Sequence, residues 1–433
     1  MKLRIAARRA LVLLAAAGAL AACQGRETPL PGERIAVRPD TTPVLTEAAR
    51  PLPLPPPVVN ADWSHRNGAA RGRFVHLAFS ADPRLIWSAD LGEGDARRRR
   101  IITAPIVAGG LVFAMDAAAQ LSAFSTSGEL VWRRSVAAEG QRADSGTGGG
   151  MAVDNGVLYV TTGFGQVLAL DPRTGGERWR VTLDAPVRAA PAVEDGRVFV
   201  VARNDSAYAL SAADGSILWR VQGAGGPGVL GGATPAVDGP LVVIPFASGE
   251  VLGVLARSGL QVWGTAVTGG RRELVRNRIS DITGDPVIDG DTVFASNQSG
   301  RSISLDRVTG ERNWTIAEGS YGPAWPVGGS VFLLSDEGAL VRIDAATGAT
   351  IWTTQLPLYY NEKRKEAIVH YGPVLAGGRL WAAGSDGLLR AFSPNDGTLL
   401  ATVELPGGAA AGPAIARGVM YVVTRDGRLL AFQ

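Results

Sequence analysis

Most of the chain is written in short apolar runs of period two. In "RVFVV", Arg197 to Val201, Val198 and Val200 alternate around Phe199, the spacing of a half-buried strand. Such runs follow turns spelled "EDG", "VDG" and "IDG", where Gly supplies the positive φ of a tight hairpin. Ahead of each turn stands a Pro or small residue and a brief apolar run, as in "APAVEDGRVFVVAR" and "TPAVDGPLVVIPF". A second turn and a last strand ending in Trp follow. Each unit is therefore four short antiparallel strands in about 40–50 residues, the size of a propeller blade. Only "YYNEKRKEAIVHY" (359–371) reads as a short helix.

The second turn carries the strongest repeat. "ALDPRTGGERW" (169–179) returns as "SLDRVTGERNW" (304–314) and "RIDAATGATIW" (342–352). Degraded copies end at Trp132, Trp219 and Trp263, and a seventh, "AFSPNDGTLLA", has Ala401 at the Trp position. In every copy Gly stands four residues before that position. The Asp caps the turn, the Gly takes its left-handed corner, and the indole covers small residues of a neighbouring unit. These aspartates read as structural.

Seven units are complete. The C-terminus, "AGPAIARGVMYVVTRDGRLLAFQ", supplies three strands and stops, and "RLIWSADL" with Trp87 supplies a fourth. The expected fold is all-β: an eight-bladed β-propeller of four-stranded antiparallel blades over 84–433. Pairing of the N-terminal strand with the last blade closes the ring and leaves no open blade interface.

The ends lie outside that ring. Lys2, Arg4, Arg8 and Arg9 precede the apolar "ALVLLAAAGALAA", which reads as an export signal over 1–22. The "LAAC" that follows resembles a lipobox, so Cys23, the sole cysteine, is the expected acylated N-terminus. Residues 23–60 are rich in Pro and read as a tether, and 61–83 as a lead-in. The whole chain has 43 basic and 40 acidic residues; without the four basic residues of the signal the balance is 39 to 40. Nothing in that balance calls for nucleic acid. With one cysteine, no internal disulfide forms, and the fold relies on its core.

The Ala-x-Asp-x-x-Thr-Gly-x-x-x-Trp repeat closely resembles the tryptophan-docking repeat of the pyrroloquinoline-quinone (PQQ) propellers, over about 84–433. Two groups share it: quinoprotein dehydrogenases, and the BamB lipoproteins of the outer-membrane β-barrel assembly machinery. The dehydrogenases resemble one another in a catalytic Asp, Ca²⁺ ligands, often a vicinal disulfide, and long wall-building insertions. Here 350 residues serve eight blades, about 44 each, with one cysteine outside them. "GAGGPG" (223–228) matches a dinucleotide motif in letters, but it links strands and offers no helix N-terminus. His65, His76 and His370 have no metal-ligand spacing. "RRRR" (97–100), after Glu93 and Asp95, reads as a solvated charge run.

Length departures mark the functional loops. Trp219 to Trp263 is 44 residues, but Trp263 to Trp314 is 51 and Trp352 to Ala401 is 49. The excess falls in blade-to-blade connections: 139–149, 222–232, 268–284 and 356–370. "RELVRNRISDITGDPVIDG" (272–290) resembles the BamB segment that binds the POTRA repeats of the barrel-assembly protein BamA. Arg278, Ser280 and Asp281 match its pattern, with Glu273 upstream, while Thr283 stands where the family has a second Asp. The preceding loop keeps Val229 and Leu230 but lacks the family's Arg. Asp281 would either receive a partner's cation or hold the loop in its binding shape. The resemblance implies a non-catalytic scaffold without cofactor or metal. It would be lipid-anchored on the periplasmic face of a Gram-negative outer membrane, and would bind BamA POTRA repeats and other assembly subunits. The alternatives are a PQQ-dependent quinoprotein dehydrogenase, or a propeller binding another envelope protein or polymer.

Overall fold

The computed structural model describes residues 51–433, except 71–75, 98, 143–145, 147, 188, 226–231, 268 and 270–280. Its strands form eight four-stranded antiparallel sheets and one two-stranded ribbon, and none of the described residues is helical. Blades 1 to 7 span 106–135, 149–182, 192–222, 236–266, 282–316, 325–355 and 370–404. Blade 8 joins Ala414–Ala416, Val419–Val423 and Arg428–Phe432 to Leu85–Asp90 from the other end of the chain. The eight-bladed ring and its closure are as the repeat predicts. First strands of successive blades lie side by side at the centre, and Trp-bearing strands form the rim.

Residues 359–371 do not form a helix. Tyr359–Asn361 and Glu366–Ala367 make the two-stranded ribbon instead. The Asn361 side-chain carbonyl accepts the N–H groups of Lys363 and Arg364, and Lys365 adopts φ of 50°. That turn outcompetes the helical propensity of the Glu, Lys and Arg run.

The rim tryptophans are the joints of the ring. Each indole lies on the turn glycine of the next blade: Trp87 on Gly128, Trp132 on Gly175, and likewise Trp179–Gly215, Trp219–Gly259, Trp263–Gly310, Trp314–Gly348 and Trp352–Gly397. A Cβ at any of these glycines would come within 2.9 Å of the indole, and their φ values are all 70–90°. Only Gly satisfies both demands. Each indole N–H also donates to a carbonyl of that same turn, as from Trp132 to Pro172 (2.9 Å) and from Trp219 to Ala256 (2.9 Å). Asp171 caps its turn by accepting the N–H groups of Arg173 and Thr174 and the Thr174 hydroxyl, which hold its carboxyl below the usual range.

The small alanines, by contrast, belong to the Trp's own blade. Across blade 1 the row reads Phe113, Ala123, Trp132; in blade 3 it reads Phe199, Ala209, Trp219. The flat third-strand residue lets the two rings meet at 5.8–6.1 Å. Blade 7 inverts this row, which reads Trp381, Ala391, Ala401. The reason lies in the closure. A Trp at 401 would dock on the last turn of blade 8, and blade 8 has no such turn, because its final two strands come from opposite ends of the chain. Trp381 fills the row from the second strand, and Phe79 of the lead-in packs edge-on against it (5.2 Å, 82°).

The lead-in crosses the central channel at the end where first and second strands turn. Trp63 exchanges two backbone hydrogen bonds with Val107 of blade 1. Ser64 accepts from Val153 of blade 2, the His65 Nε2 from Val193 of blade 3, and Ala70 from Val237 of blade 4. Asp285 of blade 5 takes Asn67 Nδ2 (2.6 Å) and Arg66 Nε (3.3 Å). Leu77 pairs with Leu375 and Gly377 of blade 7, His76 Nε2 accepts Gly378 N–H, and Asn60 bridges to Ile415 and Arg417 of blade 8. Pro53 rests against Gly328 of blade 6. The end of the expected tether, with Pro53 and Asn60, and the lead-in together thus touch all eight blades at their inner edges.

Two outcomes follow from this packing. Trp219→Ala should lower unfolding free energy by about 3–5 kcal/mol, while Ala401→Trp should give no gain, since it meets Trp381 and has no turn to cover. Chemical denaturation of both variants checks the pair. The second concerns His65, whose burial lowers its pKa to about 4. The unfolded chain takes up a proton near 6.5 that the folded ring refuses, so this stability is complete above pH 6.5 and falls as pH drops toward 4. At pH 5 the loss is about 2 kcal/mol. His65→Gln keeps an acceptor for Val193 and should flatten the slope of melting temperature against pH.

Candidate interaction face

Strand order puts every blade-to-blade connection on one face, together with the turns between second and third strands. The tryptophan joints and the lead-in lie toward the opposite face. All four loops singled out by length therefore leave from one face, and those of blades 3 to 4 and 4 to 5 are consecutive around it.

In the sector of blades 3 to 5 the feet of two loops meet. Gly232 and Ala233 of one, and Asp281 and Ile282 of the other, border a crevice of about 40 Å³ with Asp205 and Ala189. Asp205 is buried and accepts the N–H groups of Ala247 and Ser248 (2.8 and 3.1 Å). Asp285, also buried, accepts Thr234 N–H (2.7 Å) besides its two lead-in donors. Glu250 takes Ala224 N–H (2.6 Å) at the start of the 222–232 loop. Carboxylates thus pin both ends of the 222–232 loop to the ring. Asp281 is buried, only 5% exposed. Thr283, where the family pattern has Asp, donates to the Ser320 carbonyl (3.0 Å). Val229, Leu230, Glu273, Arg278 and Ser280 lie outside the described residues, as does Cys23.

The sector of blades 6 to 8 is built around the ribbon. The Tyr360 hydroxyl donates to Ser385 and receives a hydrogen bond from Arg425 (3.0 Å), which also reaches Asp95 (3.4 Å). Asp95 holds Arg100 (3.0 Å) and the Ile101 N–H (2.9 Å), and Glu93 pairs with Arg99. Arg99 and Arg100 of the "RRRR" run are therefore tied down by the two acids ahead of it, and one of those acids braces the ribbon. At the ribbon's tip Lys363, Arg364 and Lys365 are exposed. The sequence marked this loop by length only; the bracing comes from Asp95 and Arg425, which are far from it in the chain.

Between the ribbon and the channel opens a funnel of about 830 Å³. Arg66 of the lead-in reaches its floor, and Ile102, Leu334, Leu358, Ile368, Val369, Tyr321, Tyr359 and Tyr371 are among its walls. Among the described residues no group of three or more His, Cys, Asp or Glu side chains is placed to hold a metal ion.

Comparison with known proteins bears on this face. The family model described as "Outer membrane protein assembly factor BamB" matches residues 117–354 and 360–433. The proteins so named from Xanthomonas campestris and Shewanella oneidensis are 30% and 25% identical to this chain; each match covers 80% of it, and 85% and 88% of the relative. The crystal structure of BamB from Moraxella catarrhalis superposes with a TM-score of 0.68 over 81% of this chain and 100% of that one, at 21% identity. Quinohemoprotein alcohol dehydrogenase from Comamonas testosteroni gives 0.65 at 15% identity, over 86% of this chain and 80% of that one, which is a likeness of fold.

Tyr360→Phe removes the hydroxyl on which Ser385 and Arg425 converge. Trypsin should then cut at Lys363, Arg364 and Lys365 several-fold faster, with the melting temperature of the ring nearly unchanged. Timed digestion with mass-spectrometric mapping reads the difference.

Proposed function

Because the chain belongs to the BamB family of outer membrane protein assembly factors, we propose that it is a non-catalytic scaffold lipoprotein of the β-barrel assembly machinery. In this reading Cys23 is acylated, the Pro-rich 23–60 tethers the ring to the outer membrane, and the loop face binds the POTRA repeats of a BamA-like protein. The family match across the blades carries the proposal. The ring supports it by bringing the feet of the 222–232 and 268–284 loops together on one face. Arg278 and Glu273, with Val229 and Leu230 of the neighbouring loop, are the proposed contacts. Burial gives Asp281 the positioning role: it holds the loop base from below.

The two roles separate under mutation. Arg278→Ala should weaken capture of a BamA POTRA segment by about 2 kcal/mol, roughly thirtyfold, with the melting curve intact. Asp281→Ala should lower capture and melting temperature together, since it leaves buried partners unpaired. Wild-type capture by both variants would show that the partner docks elsewhere.

A further inference from the structure

Arg66 stands in a tight turn of the lead-in. Ser64 N–H donates to the Gly68 carbonyl, and Gly68 N–H donates to that of His65 (both 3.0 Å). The buried Trp63 closes the turn by donating its indole N–H to the Arg66 carbonyl (3.2 Å). The two neighbours are pinned as well, His65 to Val193 and Asn67 to Asp285. The backbone of Arg66 is therefore fixed before its side chain makes any contact.

That side chain forks. Nη1 donates to the Gly232 carbonyl (2.9 Å), at the end of the 222–232 loop, and Nε pairs with the Asp285 carboxylate (3.3 Å). Asp285 lies on the strand Ile282–Asp289, into which the 268–284 loop runs. Its second oxygen accepts the N–H of Thr234 (2.7 Å), two residues past Gly232. One guanidinium thus joins the foot of one loop to the foot of the other. The Asp285 side chain is 1% exposed, so water screens this contact little.

We propose that Arg66 is a positioning residue of the interaction face: it sets the spacing of the two loop feet so that the face is formed before the partner arrives. The inference rests on the reading of that face as the POTRA-binding surface. A pre-formed face binds more tightly because less ordering is left for the binding step. A loosened face loses apparent affinity in proportion to the fraction of molecules correctly set. The role requires a fork. A guanidinium holds its donors in one rigid plane and reaches a carboxylate and a carbonyl together, whereas an ammonium is a point charge on a flexible stem. Arg66→Lys therefore keeps the charge opposite Asp285 and loses the fixed span.

The test uses the full chain and that variant. The melting temperature of Arg66→Lys should stay near wild type, while capture of a BamA POTRA segment weakens about tenfold, the loss of one hydrogen bond to a charged group. In the free protein, hydrogen exchange over 232–236 and 282–286, read by mass spectrometry, should quicken several-fold. Exchange over 197–201, in the second strand of blade 3, should match wild type. Faster exchange in all three segments with a lowered melting temperature would make Arg66 a structural residue and overturn the proposal. Unchanged exchange at the two feet overturns it too, as does wild-type capture by the variant. If the wild-type chain captures no POTRA segment, the reading of the face fails and this role falls with it; if only the variant's effect is missing, the reading stands and the positioning role alone fails.

Discussion

An indole on a glycine is the contact from which this molecule is built. Each rim Trp requires that the next blade present a turn with no Cβ and a positive φ, and each turn requires that the preceding blade supply the ring that covers it. The hydrogen bond from the indole N–H to that turn fixes the tilt between neighbours. A blade therefore has little freedom of its own: its position is set by the one before it and sets the one after. The exception at Ala401 obeys the same rule. Where closure from two chain ends removes the turn, the Trp moves to the second strand and the lead-in covers it.

The inner edges pose the opposite problem. First strands leave backbone groups facing the channel, and unpaired buried backbone is costly. The lead-in answers this with contacts that are each small, often a single hydrogen bond per blade, and distributed around the ring. Its one concentrated element is Asp285, which gathers Thr234, Asn67 and Arg66. That knot ties the channel seal to the foot of the 222–232 loop, so the core of the ring and the base of the candidate interface share one carboxylate.

What the sequence made legible follows from the range of each interaction. The repeat, the blade count and the closing strand are written in local spacing, because a Gly four residues before a Trp encodes both halves of the joint. The lead-in is not legible that way. Its partners, Val107, Val153, Val193 and Val237, are ordinary strand valines, and nothing in "ADWSHRNG" names them. Loop length marked out a candidate face but not its content. The ribbon read as a helix because Glu, Lys and Arg are helix formers, while the deciding hydrogen bonds came from Asn361 locally and from Ser385, Arg425 and Asp95 at a distance. The sequence left Asp281 two roles, partner contact or loop support, because spacing reports order along the chain and not depth.

The separation of faces explains how the family holds its fold while its loops diverge. The joints sit at turns between third and fourth strands, and the blade-to-blade loops leave from the other ends of those fourth strands. A substitution in a loop therefore meets no indole and no turn glycine. Here Thr283 stands where the family pattern has a second Asp, and the neighbouring loop carries no Arg, while seven Trp–Gly joints hold the ring. Carboxylates of the ring, Glu250 and Asp285, hold the two ends of the 222–232 loop rather than its tip. Selection on a partner can thus rewrite the tips without loosening either the exits or the ring.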